Sequence, residues 1–153
     1  MAWPQTLIPS DLGDLADDVR RLFRDIERQT GRTGVAGQCT PPIDVLETDE
    51  IIELVVDLPG VTRDDVRVIL KGSVIVVAGE KTPEPRDEQA RAGDFHLVER
   101  GFGRFARAIR VATAFDGSRA RATMTAGELR VVLPRIHDRR GRAQGVAVTS
   151  GPD

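Results

Sequence analysis

Hydrophobic and polar positions divide the chain into three zones. The clearest pattern runs from Ile51 to Ala78, where 15 of 28 positions are Val, Ile or Leu, interrupted at Pro59-Gly60 and Lys71-Gly72-Ser73. Ile52, Leu54, Val56 and Leu58 alternate with Glu53 and Asp57, which predicts a strand with one buried face. Val66, Val68 and Leu70, opposite Arg67 and Lys71, predict a second; Val74 to Ala78, apolar on both faces, predicts a central strand. Ile43–Glu47, Phe105–Val111, Ala120–Thr125 and Leu129–Leu133 complete a strand-rich zone from Pro41 to Arg135, with Gly117 and Gly127 in turns. So many short strands leave no room for crossover helices, and the expected architecture is an all-β sandwich.

The first 40 residues follow a different period. Leu12, Leu15, Val19, Leu22, Phe23 and Ile26 recur at three- and four-residue steps, which predicts an amphipathic helix with Ser10 as its N-cap. Asp11, Asp14, Asp17 and Asp18 fill its first half and Arg20, Arg21, Arg24 and Arg28 its second, as the helix dipole favours. Two fates for the stripe stand open: packing on the sandwich of its own chain, or burial against other copies and foreign apolar surface. Thr30 to Thr40, with Gly31, Gly34 and Gly37, reads as a linker. The third zone, Ile136 to Asp153, is a polar, flexible C-terminal extension holding one apolar island, Val146-Ala147-Val148. Its two valines lie two apart and so share one side of an extended segment.

Between the central strand and Phe105 lies a 15-residue run, Glu80 to Asp94, with eight charges and prolines at 83 and 85. Ordinary hairpins use about 2–5 residues, so a loop this long calls for a functional or disorder explanation. It leads into Phe95-His96-Leu97-Val98-Glu99-Arg100, which has strand propensity far from the compact order of the sheets.

Composition narrows the chemistry. Aromatic residues are 4% of the chain, so the core is aliphatic, and a net charge of -2 gives no global field for nucleic acid. Cys39, the only cysteine, allows no intrachain disulfide, and no apolar run nears the ~20 residues of a membrane span; a cytoplasmic protein is expected. His96 and His137 have no Cys or His at metal-ligand spacing, no G-x-S-x-G surrounds a serine, and the Gly31–Gly37 run is no phosphate cradle. The expectation is a non-enzyme without cofactor or metal, working through surfaces and edges.

The ordered motifs resemble those of the small heat shock proteins. Asp57-Leu58-Pro59-Gly60-Val61, then Asp64-Asp65-Val66 and Val74 to Glu80, are similar to the first half of an α-crystallin domain. Phe95 to Arg100 resembles the swapped strand of the bacterial and plant branch, Gly103-Arg104-Phe105-Ala106-Arg107 the G-x-F-x-R signature, and Ala122 to Pro134 the A-x(4)-G-x-L-x-V-x-L-P ending. The chain departs from the family at Ala126-Gly127-Glu128-Leu129, usually Asn-Gly-Val-Leu, at Ala112, usually Pro, and at Val146, usually Ile. The Val146 change removes about one buried methylene, ~0.8 kcal/mol per site, and so bears on assembly size rather than on fold.

The resemblance implies an immunoglobulin-like α-crystallin sandwich at 41–135, between an N-terminal arm at 1–40 and the extension at 136–153. It implies an ATP-independent holdase whose partners are itself and unfolding clients. A dimer surface would comprise Ile43 and Val45, Phe95, Leu97, Val98, Glu99 and Arg100 crossing from a second subunit, and Arg107. Alternation with Phe105 and Ile109 predicts that Arg107 is partly buried and in need of an acidic partner, with an intrachain salt bridge the alternative to the interface role. A groove of Val66, Val68, Leu70, Ala120, Ala122 and Met124 would accept Val146 and Val148. Clients would bind Trp3, Leu7, Ile8, Leu12, Leu15, Val19, Leu22, Phe23 and Ile26. The competing reading is a β-sandwich adaptor or co-chaperone module for one folded partner.

Overall fold

The computed structural model describes residues 9–31, 39–84 and 93–137, with residues 9–14 by backbone only. One helix, α1 (Pro9–Thr30), precedes seven strands: β1 (Ile43–Glu47), β2 (Ile51–Asp57), β3 (Val66–Lys71), β4 (Val74–Lys81), β5 (Gly103–Arg110), β6 (Arg121–Thr125) and β7 (Glu128–Pro134). They form a four-stranded sheet in the order β1-β2-β7-β6 and a three-stranded sheet in the order β3-β4-β5, with every pairing antiparallel.

Register explains the core. Ile52, Leu54 and Val56 of β2 lie opposite Leu133, Val131 and Leu129 of β7, so both strands turn their apolar sets inward together. Ile75 and Val77 of β4 and Phe105 and Ile109 of β5 meet them from the other sheet, in one cluster of fourteen buried residues. Gly79 continues the inward row of β4. A Cβ there would stand 2.3 Å from the Asp65 carbonyl oxygen and 2.8 Å from Phe105 Cζ, so the absent side chain is what admits the Phe105 ring. On the opposite face of β2, Glu53 accepts a hydrogen bond from Arg130 at 2.6 Å, which raises the guanidinium pKa further.

Two-residue turns need special backbone angles. Ala126 (φ 51) and Gly127 (φ 80) link β6 to β7, both in the left-handed region. Asn, the residue the resemblance leads one to expect here, suits the first position; Ala adopts it at a cost of roughly 1 kcal/mol.

Three expectations change. The helix begins at Pro9, so Ser10 lies inside its first turn rather than ahead of it; proline is well tolerated there because the first amides have no helical acceptor. Glu80 and Lys81 belong to β4, not to the charged loop, because they pair in register with Arg104 and Gly103. Residues 93–102 form no strand within the chain, despite the propensity of Phe95 to Arg100. Most of the linker, most of the charged loop and nearly all of the C-terminal zone lie outside the described residues.

Candidate functional site

The sandwich has two open sides. Arg107 points inward with Phe105 and Ile109 and reaches across between the sheets, donating from Nη1 to the Pro41 carbonyl at 2.6 Å. That bond ties β5 to the residues leading into β1 and places both edge strands on one side. The acidic partner expected for Arg107 is thus replaced, within the chain, by a backbone carbonyl, which satisfies a half-buried guanidinium without a second charge. Along the β1 edge Ile43 packs on the core, whereas Val45 is 40% and the neighbouring Leu46 55% exposed. Phe95, Leu97 and Val98 are more exposed still, at 64%, 72% and 68%, and Glu99 and Arg100 are exposed beside them. Single exposed aliphatics are ordinary, but this many in two short segments form a candidate interaction surface.

The opposite side opens between β3 and β6. Val68, Leu70, Ala120 and Met124 are half-buried and pack on the core from these two edges. Leu70 lies beside Gly117 of the short 3-10 turn (Gly117–Arg119) that leads into β6. Val66 is buried in the core and Ala122 is exposed, so the open part of the groove is narrower than the sequence suggested. Phe115, absent from the groove set that the sequence pattern predicts, is half-buried in the same cluster and bridges to Arg135. Its signal would have been an aromatic two residues before the Gly117 turn. Asp116 caps that turn; the Ser118 hydroxyl and amide bonded to its carboxylate lower its pKa. Val146 and Val148, the segment expected to fill the groove, lie outside the described residues.

The helix stripe has a partner in its own chain. Leu15, Leu22 and Ile26 are buried against Val74, Val76 and Ala78 of β4, with Val19, Phe23 and Ile69 packed around them. This is the first of the two fates the sequence left open. Trp3, Leu7 and Ile8 lie outside the described residues, as does the side chain of Leu12. Polar ties surround the contact. Asp18 accepts from Lys71 Nζ at 2.7 Å, a bond that lowers the Asp18 pKa. Arg104 pairs with Glu27 of the helix and, at 3.5 Å, with buried Glu80 of β4, while its guanidinium lies 5.0 Å from the centre of the Phe23 ring. Arg67 donates to Gln29.

Among the described residues no group of three or more His, Cys, Asp or Glu is placed to hold a metal ion, and no helix is long and apolar enough to cross a membrane. What the geometry offers is apolar surface: two sheet edges with aliphatic rims, and a helix seated on a third face.

Comparison with known proteins accords with this architecture. The model of the Hsp20/alpha crystallin family matches residues 44–149. Heat shock protein 16 of Schizosaccharomyces pombe is 31% identical over 128 residues, covering 82% of this chain and 89% of its own length. The spore protein SP21 of Stigmatella aurantiaca is 38% identical over 95 residues, of which the chain spans only 54% of the relative's length. Among solved structures, heat shock protein 16.0 of S. pombe superposes with a TM-score of 0.60 at 31% identity, covering 73% of this chain and 100% of that one. A small heat-shock protein from Xylella fastidiosa shares the fold at a TM-score of 0.57 and 23% identity, over 75% of this chain and 99% of its own. A two-sheet sandwich with this strand order, these edges and this breadth of matching sequence makes the chain a member of the Hsp20/alpha crystallin family of small heat shock proteins.

Proposed function

We propose that the protein is an ATP-independent holdase that binds apolar segments of unfolding proteins and holds them from aggregation. The observation that carries the reading is the apolar stripe of α1 seated on Val74, Val76 and Ala78, a layer one helix can uncover, beside a second set of exposed apolar side chains on two edge segments that serves self-association. Val45 and Leu46 line the β1 edge, and Phe95, Leu97 and Val98 stand out from residues 93–102. Apolar burial is non-directional and asks for no particular sequence in the partner, which suits a promiscuous binder. Membership of a heat shock family supports the same assignment.

The working unit is a symmetric dimer in which Phe95 to Arg100 of one subunit adds a strand to β1 of the other. An edge strand presents unpaired backbone groups, and a reciprocal exchange covers two such edges at once. Arg107 contributes by fixing Pro41, and with it the start of the accepting strand. Val146-Ala147-Val148 of a neighbour would seat in the β3/β6 groove and extend dimers into larger assemblies. The reading places the protein in the cytoplasm, where a lone thiol stays reduced.

The test is light scattering from a heat-unfolded client mixed with the full chain and no nucleotide. Suppression at near-stoichiometric subunit ratios is expected. Unchanged client scattering across a tenfold excess would overturn the holdase assignment. For the dimer, replacing Leu97 and Val98 by Ser is expected to yield a folded monomer by native mass; an intact dimer would refute the exchange.

A further inference from the structure

The outer face of the β3-β4-β5 sheet has a composition that neither a solvent face nor a core face requires. Alternation and register put Ile69, Val74, Val76 and Ala78 at its centre. Lys71 and Arg110 flank Val74 at one end, while Arg67 and Arg104 mark the other, opposite Ala78 and Glu80. The apolar centre therefore has a cation at each corner. Its one carboxylate, Glu80, is buried and already paired with Arg104. Ala106 and Ala108 extend the apolar surface along β5 and are exposed.

Helix α1 matches that layout. Its stripe covers the centre, and three of its acceptors meet three of the corners: Asp18 at Lys71, Gln29 at Arg67 and Glu27 at Arg104. We propose that this face is a receptor for apolar segments flanked by carboxylates, filled by α1 in the resting chain and by such a segment of an unfolding protein when α1 lifts. The inference rests on the holdase reading and adds the chemistry of the preferred client and the location of a covered site.

Exchange of occupants is physically cheap here. Among the described side chains of the helix, Leu15, Leu22 and Ile26 are the buried apolar ones, and a client stripe of like composition replaces what they lose. Withdrawal of Glu27 strands no charge, because Arg104 keeps Glu80. The remaining ties are partly exposed pairs of small individual worth. Because β4 is hydrogen-bonded to a neighbour on each side, recognition must be by side chains on the face rather than by strand addition.

A fluorescein-labelled peptide with the sequence of Pro9–Thr30, added to the full-length protein, tests this directly. The double variant Asp18→Asn, Glu27→Gln weakens the internal competitor, and the peptide is expected to bind it about threefold to tenfold more tightly than the parent. A peptide with Lys at the positions of Asp18 and Glu27 should bind weakly to both. Ala106→Glu with Ala108→Glu, at exposed positions that spare the fold, should weaken the original peptide. Equal binding by parent and double variant, or indifference to the peptide's charge, would overturn the proposal. Client scattering read in parallel separates the two readings. A parent that protects a client yet shows neither response loses the covered site and keeps the holdase. A parent that binds the peptide as expected but protects nothing keeps the acid-flanked site and loses the holdase.

Discussion

One strand, β4, contributes to two apolar layers that are held in different ways. Val77 faces the sandwich interior and Val76 faces α1, and both are 0% exposed. Val77 belongs to a cluster of fourteen buried residues drawn from both sheets and closed by strand ladders. Val76 belongs to a cluster of six, three of them from a single helix fastened by side-chain ties. Exposing Val77 requires the domain to unfold; exposing Val76 requires one helix to move. Equal burial therefore conceals unequal permanence, and the less permanent layer is the one a binding protein can use.

The same truncation made in each layer breaks the comparison open. Leu54→Ala in the interior is expected to cost about 2–5 kcal/mol, read as a lower denaturant midpoint for the whole sandwich. Leu22→Ala in the helix layer should cost about 2 kcal/mol of helix docking. It should speed hydrogen exchange across α1 and leave the sandwich midpoint in place; a matching fall in that midpoint would mean that the two layers unfold as one. A change confined to the four-stranded sheet sharpens the contrast from the other direction. Ala126→Asn, which suits the positive φ of the β6–β7 turn, should stabilise the sandwich by roughly 1 kcal/mol, read as a higher denaturant midpoint, while α1 exchanges as before.

Acid supplies the smallest effect. The Asp18 pKa is lowered, first by its hydrogen bond from Lys71 and further by the charges of Lys71 and Arg21. A carboxylate depressed on docking stabilises the docked helix above its undocked pKa and loses that contribution as pH falls through the docked value. Protection of α1 amides, taken relative to the intrinsic exchange rate at each pH, should therefore fall only below about pH 4.

Much of this was legible in the sequence where a face repeats. The inward sets of β2 and β7 follow strict alternation, and the helix stripe follows its three- and four-residue steps. Reading Val74 to Ala78 as apolar on both faces also contained the helix's destination: a central strand in a three-stranded sheet needs a cover on its outer side. Charge obscured the end of β4, because Glu80 and Lys81 resemble loop residues until Arg104 is seen opposite Glu80. The partner of Arg107 left no trace in the pattern, since every residue carries a carbonyl. Phe95 to Arg100 has the composition of a strand without being one in the single chain, for strand propensity acts only through a paired edge. The proposed dimer supplies that edge; the chain alone does not.

The most direct test of binding by movable apolar borders is hydrogen exchange of the full chain, with and without a heat-unfolding client and without nucleotide. The account predicts that the client alters exchange in α1, β3 and β5, while β2 and β7 keep their protection. A client held in a stable complex with none of those segments changed, or with β2 and β7 opened instead, would contradict it.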